Sequence, residues 1–195
     1  MESEDQAEST GEGQASRVDA GVVISYRRED TRGDAGRLYE QLAHTFGKKR
    51  IFMDIDSIPA GKDFRDVLEG TISRTSVLLV LIGDRWAAAT DSWGRRRLDN
   101  DEDIVRLEIA TAIRQGTQLI PVLVGSAKMP SKKELPDELK ELATRQAISL
   151  SEHHFRTDVR RCCTIQPRLE LGRLPNPSFT TPRRRTSACR DRPSG

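Results

Sequence analysis

The chain has 195 residues, of which 35% are hydrophobic and 32% are charged, with a formal net charge of +2. This length suits one domain with tails, and the small net charge excludes a uniformly basic or acidic protein. The longest apolar run, Val77 to Ile82, is too short to span a membrane. The acidic first residues lack the apolar run of a signal peptide, so we expect a cytoplasmic protein.

Both ends of the chain have compositions that oppose folding. Residues 1–19 are rich in Ser, Gly, Gln and acids, and from residue 160 onward nine Arg accompany only two acids. Five of the nine prolines also fall in this last segment, which lacks hydrophobic periodicity. We therefore predict disorder in residues 1–19 and 161–195. The alternative is a basic tail that binds nucleic acid or an acidic membrane, but Phe179 alone offers little base stacking, and we expect neither partner.

Between these tails, strand and helix patterns alternate along the chain. This alternation predicts a flavodoxin-like α/β fold, in which a five-stranded parallel sheet carries helices on both faces. With the strands lettered A to E in chain order, the predicted order across the sheet is B-A-C-D-E. Gly47 and Gly116 are predicted to end the first and third helices. The predicted strands are 21–26, 50–54, 76–82, 118–124 and 146–150, and the predicted helices are 34–46, 63–74, 101–115, 136–144 and one beginning at Glu152.

The segment from Ile51 to Phe64 is the most informative stretch of the chain. A strand of the buried type ends in acids, enters a Ser-Ile-Pro-Ala-Gly turn and leads into a helix. Pro59 restricts φ and Gly61 permits a positive φ, so the loop has a defined shape. A shaped loop with an apolar Ile58, placed at the carboxyl end of a strand, is typical of functional loops in α/β proteins. An ordinary strand-to-helix connection is the alternative.

Two segments, Ile24 to Thr31 (ISYRREDT) and Phe52 to Phe64 (FMDIDSIPAGKDF), together resemble the TIR domain in its bacterial form. The resemblance continues through the third strand, the segment DIVRLEI after residue 102 and the fourth strand, and it covers about residues 20–160. Several ordered blocks at family-like spacing are a more specific signal than any single short motif. We therefore expect a TIR domain over residues 20–160.

The resemblance implies a catalytic role for Glu108. Enzymatic TIR domains use a glutamate at this position to cleave the bond between nicotinamide and ribose in NAD+, and they do so in signalling or defence when TIR domains self-associate. One carboxylate suffices, because nicotinamide leaves as a neutral molecule and only an oxocarbenium-like transition state needs stabilisation. NAD+ is then a substrate, and no cofactor is implied. The alternative is that Glu108 lies on a solvated helix face, as most glutamates do.

The resemblance also implies a dinucleotide pocket at the carboxyl edge of the sheet. Arg27 or Arg28 is expected to pair with pyrophosphate, or else with surface acids. Many NAD-cleaving TIR domains carry Trp four residues before the glutamate, where this chain has Ile104. Trp86 or Trp93 would then supply an aromatic wall, unless both anchor a loop. The implied binding residues are Ser25, Tyr26, Arg27, Arg28, Asp54, Ser57, Ile58 and Trp86.

A second function follows from the same resemblance, because many TIR domains act only as adaptors. They dock to other TIR domains through the loop that corresponds to residues 55–62 of this chain. Ile58, Pro59 and Gly61 would then form the interface. Under either function, the expected protein partners are TIR domains, either in further copies of this chain or in other proteins.

Two further classes of site are excluded by the positions of the residues. The pairs His153-His154 and Cys162-Cys163 lack the separation that lets two side chains reach one zinc ion, so no metal site is expected. A phosphoacceptor receiver domain would need acids after the first strand, an Asp after the third and a Lys after the fifth. The predicted strands end instead in Ser-Tyr-Arg-Arg, Ile-Gly and Leu-Ser.

Overall fold

The computed structural model describes residues 21–53 and 63–164. Within these residues, five parallel strands form one sheet in the order β2-β1-β3-β4-β5. This order confirms the predicted B-A-C-D-E. The strands are β1 (Gly21–Ser25), β2 (Ile51–Met53), β3 (Thr75–Ile82), β4 (Gln118–Val124) and β5 (Ile148–Leu150).

The α-helices in the described residues are α1 (Arg28–Phe46), α2 (Phe64–Ser73), α3 (Ile104–Gln115) and α4 (Phe155–Thr164). Aspartate side chains cap two of them. Asp63 accepts a hydrogen bond from the Arg65 N–H, and Asp103 accepts one from the Arg106 N–H. Each satisfies a donor that the first helical turn leaves free. Gly116 ends α3 with a left-handed φ of +68°, which confirms its predicted role.

Helices cover both faces of the sheet. Neighbouring residues of a strand point to opposite faces, and β1 illustrates the result. Val22 and Ile24 pack in the cluster that includes α1 and α4, whereas Val23 packs in the cluster that includes α2 and α3. We call these the α1/α4 layer and the α2/α3 layer. β3 is buried at every residue except the partly exposed Ser76, as expected of a central strand.

The prediction of a single helix at residues 136–144 was wrong. Two short 3₁₀ turns occur there instead, at Asp137–Leu139 and Leu142–Thr144. Their buried residues, Leu139 and Leu142, are three positions apart, which is the repeat of a 3₁₀ helix. The apolar spacing therefore indicated which residues are buried, but the segment forms two 3₁₀ turns rather than one α-helix.

The outer helices differ from prediction at their ends. α1 begins at Arg28 rather than at residue 34, and its first turn contains a kink at Thr31, where φ is −130°. α4 runs to Thr164, past the domain boundary expected at residue 160, because Val159 and Cys162 are buried in the α1/α4 layer. The two predicted tails lie almost wholly outside the described residues, and so does the loop at 55–62. None of the described helices is both long and apolar enough to cross a bilayer.

Candidate functional site

The carboxyl edge of the sheet has a crevice between β1 and β3. The chain passes from β1 to β2 on one side and then crosses to β3 on the other, so the connections diverge between these two strands. Ligands bind at such a topological switch point in open parallel sheets. A cavity of about 270 Å³ lies there, and its lining includes Arg27, Glu29, Arg85 and Thr90. We call this cavity the switch-point cleft.

Arg27, which directly precedes α1, is only 1% exposed and is bound within the protein. Its Nη1 and Nη2 donate to Oδ2 and Oδ1 of Asp103 at 3.0 and 3.1 Å. Its Nε donates to the Trp86 carbonyl at 3.1 Å. This bidentate, charge-assisted pair joins the end of β1 to the start of α3. Arg28 is the exposed member of the arginine pair that was expected to meet pyrophosphate.

Asp103 is shared by several partners. Besides the two hydrogen bonds from Arg27, its carboxylate accepts one from the Arg97 Nε and one from the Arg106 N–H, both at 3.0 Å. Arg97 also reaches Glu29, with Nη1 3.1 Å from Oε1. A buried carboxylate whose acceptor positions are paired in this way is well satisfied. The network therefore ties the start of α1, the loop after β3 and the start of α3 to one edge of the sheet.

Trp86 is enclosed rather than available to a ligand. Its side chain is 0% exposed and belongs to the cluster of the α2/α3 layer. The Arg27 guanidinium carbon lies 5.7 Å from the centre of its ring. These contacts match the alternative in which Trp86 anchors the long loop after β3, since an enclosed ring has no open face for stacking. Trp93, on the same loop, is 78% exposed.

Glu108, in the middle of α3, is buried at 5% exposure. Gln115, two turns later on the same side of the helix, donates to the Glu69 carbonyl of α2 at 3.4 Å. Glu108 therefore faces α2, which begins just after the loop at residues 55–62. The interpretation of Glu108 as a solvated surface residue is wrong, because the residue is only 5% exposed.

The two residues before Arg27 point to opposite layers. By strand alternation, Ser25 lies on the α2/α3 side with Val23. The Ser25 hydroxyl is buried, and it has no hydrogen-bond partner among the described residues. Tyr26 packs against the cluster of the α1/α4 layer. Ser25 and Glu108 are therefore on the same side of the sheet, whereas Tyr26 is on the other.

Close packing between α1 and the end of β3 brings the walls of the cleft together. A Cβ atom on Gly83 would lie 2.4 Å from a carboxylate oxygen of Asp30 and 2.6 Å from Cγ2 of Thr31. The other Asp30 oxygen accepts a hydrogen bond from the Arg85 N–H at 3.2 Å. Gly83 is therefore the residue whose missing side chain lets α1 approach the loop after β3.

Sequence reasoning missed the structural role of Asp103 and Gly83. An Asp directly before an apolar helix is typical of an N-cap, so the capping role was within reach. The pairing of Asp103 with Arg27, 76 residues away, depends on the fold. Five predicted residues lie outside the described segments, namely Asp54, Ser57, Ile58, Pro59 and Gly61. Across residues 21–53 and 63–164, no group of three or more His, Cys, Asp or Glu is arranged to hold a metal ion.

Comparisons with known proteins agree with this architecture. The TIR domain family model matches residues 22–163, a span that runs from β1 into α4 and includes the switch-point cleft. A solved structure of the activated Roq1 resistosome directly recognizing the pathogen effector XopQ has TIR domains of similar fold. The TM-score is 0.53 and the identity 16%, over 75% of this chain and 98% of that one. No curated protein matches the chain. From the family match and the fold, the chain belongs to the TIR domain family.

Proposed function

We propose that this TIR domain cleaves NAD+ at the bond between nicotinamide and ribose, in a self-associated form and as part of signalling or defence. The observation that carries the proposal is the burial of Glu108, which is 5% exposed on the side of α3 that faces α2. Glutamate is rarely buried in folded proteins, and buried ionisable groups are concentrated at functional sites. The reaction needs a carboxylate held in one place, and α3 carries Glu108 on the same side of the sheet as Ser25.

The chemistry requires one carboxylate and no general acid. The bond between ribose C1′ and the pyridinium nitrogen breaks with its electron pair moving to nitrogen, so nicotinamide leaves as a neutral molecule. Positive charge then develops on the ribose, and the Glu108 carboxylate stabilises it. Water adds its oxygen to C1′ and releases a proton, which gives ADP-ribose. Ordinary glycoside hydrolysis differs, because its leaving oxygen must be protonated.

The buried ion-pair network supports this role by holding the helix that carries Glu108. Electrostatic stabilisation is effective only where the charge is fixed before the reaction begins. Asp103 is the N-cap of α3, and its bonds to Arg27 and Arg97 attach that helix to β1 and to the loop after β3. Glu108 lies five positions later on the same helix. Movement of α3 along the sheet would therefore have to break the hydrogen bonds that the buried Asp103 carboxylate accepts.

Ser25 provides further support. A buried hydroxyl without a partner among the described residues calls for an explanation. A hydrogen bond to a substrate hydroxyl is the explanation that this function supplies. In the proposal, Arg28 contacts the phosphates. Asp54, Ser57 and Ile58 complete the pocket from the loop of the same or a second copy.

The test is release of nicotinamide from NAD+ by concentrated full-length protein, compared between the wild type and Glu108→Gln. The alternative function is a non-catalytic adaptor that docks through residues 55–62. One pair of observations favours it: the position filled by Trp in many NAD-cleaving TIR domains is Ile104 here, and Trp86 is enclosed. No release by the wild type under crowded conditions would favour the adaptor.

A further inference from the structure

The loop between β3 and α3 presents a tryptophan in a fixed position. Among the large hydrophobic side chains of the described residues, only Phe52 and Trp93 are exposed, at 39% and 78%. A single apolar side chain at the surface is common and needs no explanation. Trp93 differs because hydrogen bonds join the residues before it to the residues after it and so close the turn that carries it.

Asp91 fixes this turn. Its Oδ1 accepts hydrogen bonds from the N–H groups of Trp93 and Arg95, both at 2.9 Å, and its Oδ2 accepts one from the Arg95 Nε at 2.8 Å. Thr90 and Arg96 form an antiparallel bridge, and Gly94 between them has a φ of +76°. Desolvation raises the pKa of the Asp91 carboxyl, but the hydrogen bonds from Arg95 and Trp93 outweigh it and lower that pKa overall. Asp91 therefore stays ionised and keeps the turn closed.

The turn is also attached to the switch-point cleft. Ala88, Ala89 and Thr90 line the cleft, and Trp93 is three residues further along. Three residues span at most about 11 Å, so the Trp93 backbone lies within that distance of the cleft lining at Thr90. At the other end of the turn, the Arg97 Nε donates to Asp103 at 3.0 Å. The turn is thus held to the same network that holds α3.

The Trp93 ring is already covered on one face by a cation. The guanidinium carbon of Arg95 lies 4.9 Å from the centre of the ring. A second cation on the opposite face would be repelled by the first, so the charged pyridinium of NAD+ is a poor occupant. A neutral, flat base is a good one, because bases stack on tryptophan through their π faces. The adenine of NAD+ is such a base.

Burial also indicates which end of the dinucleotide lies inside the protein and which lies near Trp93. The reacting ribose must reach Glu108, which is 5% exposed, so the nicotinamide end enters the protein. The adenine end then lies toward solvent, where Trp93 is exposed. The cleft itself, at about 270 Å³, is large enough for part of a dinucleotide only. A stacking surface outside the cleft is therefore expected.

From these observations we infer that Trp93 is the stacking surface for the adenine of the dinucleotide, a specificity-determining contact outside the cleft. The inference rests on the proposed function for its choice of ligand. It can be tested by binding alone, because ADP-ribose carries the adenine but lacks nicotinamide, and nicotinamide mononucleotide carries the nicotinamide but lacks adenine.

The experiment measures the affinities of both compounds by calorimetry with concentrated full-length protein. Trp93→Ala should weaken ADP-ribose binding about tenfold or more, and Trp93→Phe should restore most of it. Nicotinamide mononucleotide should bind the wild type and Trp93→Ala equally. Thermal melting of each variant checks the fold, which replacement of an exposed side chain should leave unchanged.

The inference would be overturned by no binding of ADP-ribose by the wild type, by equal binding by Trp93→Ala, or by a loss restricted to nicotinamide mononucleotide. A fall in self-association of Trp93→Ala with unchanged ADP-ribose affinity would also overturn it and would identify Trp93 as a protein contact. The proposed function fails separately. ADP-ribose binding through Trp93 without nicotinamide release would contradict catalysis alone, and release that is insensitive to Trp93 would contradict the stacking surface alone.

Discussion

At the scale of single residues, Asp103 connects the parts of the carboxyl edge. The residue is only 4% exposed. Its carboxylate accepts hydrogen bonds from two guanidinium groups and one backbone N–H. Arg27 is even less exposed, and a buried guanidinium is tolerated only when an opposite charge faces it. The pair therefore contributes more to the position of α3 than to net stability.

Asp103→Asn should lower the free energy of unfolding by about 3 kcal/mol. The amide keeps the shape of the side chain and the capping oxygen, but it leaves Arg27 buried without an opposite charge. Urea denaturation provides the measurement. Asp99→Asn is the matched control, because Asp99 is exposed where it pairs with Arg96, and its effect should stay within about 0.5 kcal/mol. Equal, small effects of the two substitutions would contradict the role given to Asp103.

Gly83→Ala and Gly70→Ala should change stability in opposite directions. At Gly83 the new methyl group would overlap Asp30 and Thr31, at 2.4 and 2.6 Å, so the variant should lose about 1–3 kcal/mol. At Gly70, inside α2, nothing lies within 4 Å of the new methyl group. The higher helix propensity of Ala should then stabilise the protein by up to about 1 kcal/mol. Paired melting curves test this, and a stable Gly83→Ala variant would show that α1 can move away from the loop.

At the scale of elements, a short motif attaches α4 to β5. Asp158 in α4 accepts hydrogen bonds from the N–H and the hydroxyl of Ser151, both at 3.0 Å, and the Ser151 hydroxyl accepts one from the His154 N–H at 3.1 Å. The hydrogen bond from the Ser151 backbone is the main cause that lowers the pKa of Asp158. Desolvation opposes it, and the Ser151 hydroxyl and the charges of His154 and Arg161 assist it.

The pH dependence of stability should show how much the hydrogen bonds of Asp158 stabilise the protein. Because the pKa of Asp158 is lower in the folded state than its unfolded value of about 3.9, the stabilisation is complete above that value and is lost as pH falls through the folded pKa. Asp158→Asn should therefore flatten the decline in melting temperature between about pH 5 and pH 2. Melting curves of both proteins across this range provide the test. Parallel curves would show that the ionised carboxylate does not stabilise α4.

Particular elements show what sequence reasoning can and cannot predict. The strand order follows from alternating patterns and from the continuous apolar run of β3, because these reflect local preference and burial together. The segment at 136–144 was mispredicted because apolar spacing reports burial without fixing helix length. Glu108 illustrates a different limit. Glu108 is buried in the folded domain, and the pattern of its own helix does not show which neighbouring elements will cover it.

At the scale of the whole molecule, α4 is part of the folded domain, and its last turns contribute to the core. Cys162 is 4% exposed, and Val159 is 1% exposed. A chain of residues 21–164 should unfold cooperatively and close to the melting temperature of the full protein. A chain cut after residue 160 loses the buried Cys162 and should be less stable by about 1–2 kcal/mol. Equal melting temperatures for the two truncated chains would show that the final turn of α4 adds nothing.

The most direct test of the proposed activity is the rate of nicotinamide release from NAD+ across a series of protein concentrations. The wild type should release nicotinamide, with a rate per molecule that rises with concentration, because the proposed site needs self-association. Glu108→Gln keeps the size of the side chain but removes its charge, and it should reduce release about a hundredfold or more. Glu102→Gln, at an exposed position just before α3, should have no effect. Release by Glu108→Gln at the wild-type rate would contradict the catalytic assignment.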